Sequence, residues 1–195
     1  MIGISLLHLI NVLLGNELPQ TQTTPEECAE LVRHLPGAKT IVEVGVYEGA
    51  STVLLAVNAD SDAKIYGIDP MFPGRLGICW GEMVAKHSTK SARSTGRVRF
   101  VKLLSHEASD QVAGLVDFMF IDGDHSLDGI RRDWETWAPR IRIGGIMALH
   151  DSFLAPNSSQ TLGSHKFYED VISHDKRFQQ IARQDSLSVL RRETI

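Results

Sequence analysis

Cysteine, positive charge and long apolar runs are all in short supply in this chain. Cys28 and Cys79 are its two cysteines in 195 residues. They are too few for a disulfide framework and do not have metal-ligand spacing, so a reducing, cytoplasmic setting is expected. With 20 Lys and Arg against 24 Asp and Glu, the net charge is −4. Such a balance leaves no electrostatic footprint for DNA or RNA, and no nucleic-acid partner is expected. The most apolar stretch, MIGISLLHLINVLLG at positions 1–15, is interrupted by His8 and Asn11 and is too short to span a bilayer. It also lacks the basic start and small-residue cleavage site of a signal peptide. It reads as a helix packed on the domain or on a second subunit, so a homodimer is expected. Without Lys or Arg on its polar face, a membrane surface is not.

The length suits one compact domain with a substantial core. A polar connector, ELPQTQTTPEE, ends with Thr24 as a helix N-cap and Pro25 at the first helical position, and the helix it opens should run to about His34. Strand and helix patterns then alternate. TIVEVGV, KIYGIDP, RVRFVKL, VDFMFID and GGIMALHD read as strands. Between them GASTVLLAVNA, ICWGEMVAKHS, a short EASDQVAG and SLDGIRRDWETWAPRI read as helices, the last with Leu127, Ile130, Trp134 and Trp137 on one core-facing stripe. A helix near KFYEDVISHD follows, then two strands, FQQIARQ and LSVLRR, joined by QDS. Alternation of this kind implies parallel βαβ units and a doubly wound sheet. The short last connection forces an antiparallel hairpin. The expected fold is therefore α/β and Rossmann-like, a mostly parallel seven-stranded sheet ending in an antiparallel hairpin.

Ligands of open α/β sheets sit beyond the carboxyl ends of the strands. The first strand ends in IVEVGVYEGAS, residues 41–51, which places Gly45, Tyr47, Gly49 and Ser51 at that crevice. A dinucleotide loop would carry a glycine where Tyr47 stands, to let backbone approach a pyrophosphate. Glu43 and Glu48 would repel phosphate as well. A ligand with adenine and ribose but with cationic groups in place of phosphate fits better, and S-adenosylmethionine is such a ligand. Asp69, at the end of the second strand, is placed to accept from ribose hydroxyls. Read without any ligand, Gly45 and Gly49 are a tight strand-to-helix turn, and Asp69 before Pro70 a turn former.

The stretches VEVGVYEGAS, IYGID and FIDGDHSLDGIRRDWETWAPRIRIGGIMALHD together resemble the class I S-adenosylmethionine-dependent methyltransferases, in particular their small-molecule O-methyltransferase branch with the D-G-D-H-S signature. The resemblance covers roughly residues 38–195, which would form the catalytic domain behind an N-terminal helical extension at 1–37. It implies transfer of a methyl group from S-adenosylmethionine to a hydroxyl of a small molecule of the sugar or natural-product type. It also implies adenine-facing polar groups at Ser105 and His106.

Two further strand tips carry Asp122 and Asp151. Adjacent strands lie about 4.8 Å apart, so both carboxylates could reach one hard cation such as Mg²⁺, Ca²⁺ or Mn²⁺. His125 lies at the entrance to the next helix, where it could take a proton from a bound hydroxyl. Metal-dependent catechol-type O-methyltransferases have a similar arrangement. Carried over, the resemblance implies metal ligands at Asp122 and Asp151, a base at His125, and Ser152 where those enzymes hold asparagine. His150 is a substitute ligand, or points into the sheet. In bland terms Asp124 or Ser126 is a helix N-cap, His125 a surface histidine, and the aspartates turn residues. Arg75, Trp80 and His165, in or beside Gly- and Pro-rich loops, are candidates for the acceptor side. The alternatives are a metal-independent methyltransferase, a nicotinamide-dependent oxidoreductase, and a non-catalytic protein that binds the cofactor.

Overall fold

A computed structural model describes residues 5–74, 77–92, 94, 97–154 and 160–194; Arg75 lies outside them. The chain runs α1 (Leu6–Leu13), α2 (Pro25–Arg33), β1 (Thr40–Val44), α3 (Ala50–Asn58), β2 (Lys64–Ile68), α4 (Trp80–Ser91), β3 (Val98–Val101), β4 (Val116–Ile121), α5 (Leu127–Trp137), β5 (Ile141–Leu149), α6 (Gly163–Asp170), β6 (Phe178–Gln184) and β7 (Leu187–Arg192). EASDQVAG does not close a helix. It holds one 3₁₀ turn, Ser109–Gln111, directly after another at Ser105–Glu107, and single turns of this length leave no room for an α-helical nucleus.

All seven strands form one sheet in the order β3-β2-β1-β4-β5-β7-β6. β1, β2, β3, β4 and β5 pair in parallel, while β7 pairs antiparallel to both β5 and β6. The order reverses between β1 and β4, and there the crevice for a ligand opens. The hairpin expected from QDS turns at Asp185, whose φ of 49° is left-handed.

Alternation along the strands divides the core into two layers. Val42, Val44, Met119, Ile121, Met147 and Leu149 face α5 and α6, packing on Trp134, Trp137 and Phe167. Ile41, Phe118, Phe120 and Ala148 face α2 and α3, packing on Leu31, Leu35 and Leu55. The Trp134 and Trp137 stripe is core, as its spacing predicts, with exposures of 4% and 0%.

α2 opens on a full capping box: Thr24 Oγ1 accepts from Glu27 N and Glu27 returns the bond to Thr24 N. α1 buries Leu9 and Val12 against Val84 of α4, with Trp80 alongside. Its other side leaves Leu6, Leu7, Ile10 and Leu14 exposed. Among the described residues no helix is long and apolar enough to cross a membrane.

Candidate active site

The β1–α3 turn is shaped by intramolecular contacts. Gly45 has φ of 87°, and a Cβ there would stand 2.0 Å from the backbone oxygen of Asp122. Gly49 has φ of 79°, and its Cβ would come within 2.9 Å of Ala85. Both positions therefore require glycine, which brings the turn against the β4 tip on one side and α4 on the other. Tyr47, itself at φ 51°, is 40% exposed at the mouth of the crevice.

The two acids of this turn do not rim it, contrary to the sequence reading. Glu43 alternates with Val42 and Val44 and so points under α3, fully buried. It accepts a hydrogen bond from Thr52 Oγ1 and is bonded by Ser51 as well. Burial raises its pKa to about 8, against those two bonds, with the Asp122 and Asp69 charges adding to the rise. Its Oε1 has no partner. Glu48 is also fully buried. Its Oε2 meets His8 Nε2 at 2.9 Å and accepts from Gln20 N at 2.6 Å. α1 and the connector thus hold the turn from below.

Asp69 braces the same turn from β2. One carboxylate oxygen accepts from Val46 N (3.0 Å) and Tyr47 N (3.2 Å), the other from Met71 N (2.7 Å). A carboxylate has about four acceptor positions, so one remains for a ligand hydroxyl. On the far side of the crevice, Ser105 Oγ accepts from Trp137 Nε1 at 2.8 Å. His106 stands half-buried beside it.

The β4 and β5 tips bring Asp122, His125, His150 and Asp151 together. His125 Nε2 lies 3.6 Å from both Asp122 Oδ1 and Asp151 Oδ2. His150, 5% exposed, sits with Nδ1 at 3.0 Å from Asp122 and 3.6 Å from Asp151. Its Nε2 is 3.3 Å from Glu27. Burial alone would lower the His150 pKa. The Asp122 and Glu27 contacts overcome that and raise it to about 10. Glu27 is 1% exposed, and burial works to raise its pKa. Bonds from His150, Thr24 N and Ser186 hold it down at about 2. The Ser186 bonds come from both its N (3.0 Å) and Oγ (2.7 Å).

This donor set does not fit a divalent cation. Asp122 and Asp151 face a buried imidazolium instead of an open coordination space, and two carboxylates paired with a cation are poor receptors for another. Ser152, expected among the ligands, is 3% exposed. Its hydroxyl donates to Leu149 O and accepts from Ser188, because it lies behind the β5 tip toward β7. Among the described residues no three His, Cys, Asp or Glu side chains form a metal cluster.

The remaining candidates fall as follows. Ser126 is the N-cap of α5, accepting from Gly129 N, while Asp124 accepts from Ser126 N. Trp80 packs toward α1, not into the crevice. His165 is buried, its Nδ1 accepting from Leu162 N. Sequence reasoning missed Glu27, which along the chain is one more acid in the first turn of α2, and Asp133, a buried carboxylate on α5.

A sequence family described as a methyltransferase domain matches residues 42–152, more than half of the chain and the stretch from β1 to the β5 tip. The chain belongs to the methyltransferase domain family. A Dictyostelium discoideum protein named "Probable caffeoyl-CoA O-methyltransferase 3" is 26% identical over 185 residues, 84% of this chain and 71% of that one. A protein of Acanthamoeba polyphaga mimivirus is 27% identical over 118 residues, 57% of this chain and 51% of that one. The chain thus spans about half to about seven-tenths of those relatives. Its fold is that of the O-methyltransferase from Bacillus cereus in complex with SAH, with a TM-score of 0.70 at 19% identity, covering 99% of this chain and 93% of that one.

Proposed function

We propose that this methyltransferase moves a methyl group from S-adenosylmethionine to a hydroxyl of a small molecule. The observation that carries the reading is the position of His125, 29% exposed by its side chain and equally spaced from two carboxylates beside the glycine turn. S-adenosylmethionine supplies a methyl group activated by its sulfonium. The Gly45–Gly49 turn, Asp69, Ser105 and His106 would hold it, with Ser51 keeping Glu43 in place beneath. Tyr47, standing where a dinucleotide loop needs glycine, discourages the pyrophosphate of a nicotinamide cofactor.

With Nε2 3.6 Å from each of the two carboxylates, His125 would carry its proton on that nitrogen and offer Nδ1 as the base. The acceptor hydroxyl gives its proton to Nδ1 as its oxygen takes the methyl group, yielding a methyl ether and S-adenosylhomocysteine. His150 Nδ1, 3.0 Å from Asp122 Oδ1, braces that carboxylate at the β4 tip, and Glu27 braces His150 from its other nitrogen. Alignment of acceptor and donor supplies most of the rate. No step is assigned to a metal.

The test is calorimetric titration of EDTA-treated protein with S-adenosylhomocysteine and with NAD⁺, followed by an acceptor screen with and without Mg²⁺. Binding of the first ligand and not the second, with methyl transfer that survives EDTA and falls at least a hundredfold in His125→Ala, supports the reading. A folded protein that binds no S-adenosylhomocysteine overturns it, and strict Mg²⁺ dependence restores the metal to Asp122 and Asp151. The exposed leucines of α1 support a homodimer, which light scattering reads directly.

A further inference from the structure

Glu48 stands inside the Gly45–Gly49 turn and takes no part in the chemistry above. It is fully buried, and its pairing is one-sided. Oε2 takes both partners, His8 Nε2 at 2.9 Å and Gln20 N at 2.6 Å, while Oε1 has none. A half-paired carboxylate is a poor anchor where stability alone is served, because removing it from water can cost more than its contacts return. What grips it is a single unit. His8 Nδ1 lies 2.6 Å from Glu17 Oε2, and Asn11 Nδ2 donates to Glu17 Oε1 at 2.6 Å. Asn16 N and Glu17 N both donate to Asn11 O. With a carboxylate at each nitrogen, the His8 ring donates from both and is a cation. α1 and the connector are thus bonded to one another and docked together on the turn.

The residue before Glu48 shows what this grip restrains. Tyr47 has a left-handed φ of 51°, a conformation that a side chain disfavours and that persists where the surroundings impose it. Three contacts impose it here. Tyr47 N donates to Asp69 Oδ2 at 3.2 Å, the Tyr47 hydroxyl donates to Gln20 Oε1 at 3.3 Å, and Glu48 is pinned by His8 and Gln20 N. The last two come from the N-terminal segment. We propose that His8, Gln20 and Glu48 are positioning residues for the S-adenosyl site, which hold Tyr47 left-handed in the absence of ligand. Val46 N and Tyr47 N then stay on one oxygen of Asp69, and that carboxylate keeps its free acceptor position for the ribose. The inference rests on the methyltransferase reading. Without the grip the turn relaxes, and affinity falls by the fraction of molecules that still hold the competent shape.

The experiment is calorimetric titration with S-adenosylhomocysteine, well below the melting midpoints, which are recorded alongside. The proteins are wild type, His8→Ala, Tyr47→Gly, and the double variants His8→Ala/Tyr47→Gly and His8→Ala/Glu48→Gln. His8→Ala binds roughly tenfold more weakly, the order of the strain that Tyr47 then relaxes. Glycine adopts positive φ freely, so beside Gly at position 47 the loss of His8 changes affinity less than about twofold. His8→Ala/Glu48→Gln regains the midpoint, since a neutral amide is easier to bury, but stays weak in binding because the grip is gone. Affinity that returns with the midpoint, or a loss of His8 that costs as much beside glycine as beside tyrosine, overturns the proposal. If His8→Ala does not fold, wild-type affinity in His8→Ala/Glu48→Gln overturns it equally. Wild type that binds no S-adenosylhomocysteine fails at the methyltransferase reading and removes this inference along with it. Unaltered binding across wild type and all four variants removes the inference alone.

Discussion

Glu43 sits where water cannot reach, with Oε2 bonded by Thr52 and Oε1 unmet. Its folded pKa of about 8 lies above the ordinary 4.5, so the folded state binds the proton more tightly and stability declines as pH rises through that interval. Glu43→Gln keeps the shape and cannot ionise. It should flatten this part of the pH dependence and match or exceed wild type at pH 8, by on the order of 1 kcal/mol or more, in urea unfolding at pH 5 and pH 8. Gly45→Ala is expected to be worse than any charge change nearby. Its Cβ meets backbone at 2.0 Å under a left-handed φ, and a loss above roughly 3 kcal/mol with no S-adenosylhomocysteine binding is expected from the same unfolding and calorimetric measurements. Much at this scale was legible. The placement of Asp122 and Asp151 at neighbouring tips follows from two apolar strands ending in aspartate. Even the burial of Glu43 was available, since it shares the parity of Ile41. What stayed hidden were partners far along the chain. Glu27 and His150 are 123 residues apart, and nothing local in either distinguishes a strut from a cap or a sheet residue.

Whole elements show the same division. The five parallel strands and their helices were readable because their periods are strong and their lengths ordinary. EASDQVAG was misread because its helix formers are too few to sustain a second turn. α1 was recognised as a packed helix, but its purpose was not. Through His8 and the connector at Gln20 it partners Glu48, a carboxylate with no solvent of its own. His8→Ala should strand that charge and lower the melting temperature by roughly 5 °C. Adding Glu48→Gln should recover much of the loss, since a neutral amide is cheaper to bury than a lone carboxylate. Calorimetric scans of the single and double variants settle the matter, and an unrecovered double variant would mean that α1 acts through packing alone.

The whole molecule carries its ionisable strain asymmetrically. Glu27 at about 2 contributes stability that is present above pH 4.5 and lost as pH falls toward 2. His150 at about 10 contributes stability that is complete below 6.5 and lost as pH rises toward 10. Glu43 adds its own decline between 4.5 and 8. Glu27 and His150 leave a plateau between about pH 4.5 and 6.5, across which Glu43 already declines, so melting temperature should peak near the lower end, about pH 4.5, and fall on the alkaline side. In Glu27→Gln the acid limb should be shallower and the protein weaker by roughly 3 kcal/mol at pH 6, because the His150 cation is left half-paired in the interior.

The strand order has a further consequence, for the chain as it is made. β7 lies between β5 and β6 although it follows both in sequence, so the ribosome delivers a sheet with a gap in it. Until residues 187–192 emerge, β5 presents the edge of its apolar GGIMAL run to every other nascent chain in the vicinity, a ready template for mispairing. Ser186, which anchors Glu27, arrives immediately before the missing strand, so the strut and the sheet close together. A chain stopped at Ser186 should therefore accumulate as aggregate, and appending β7 as a free peptide should not rescue it once that edge is occupied.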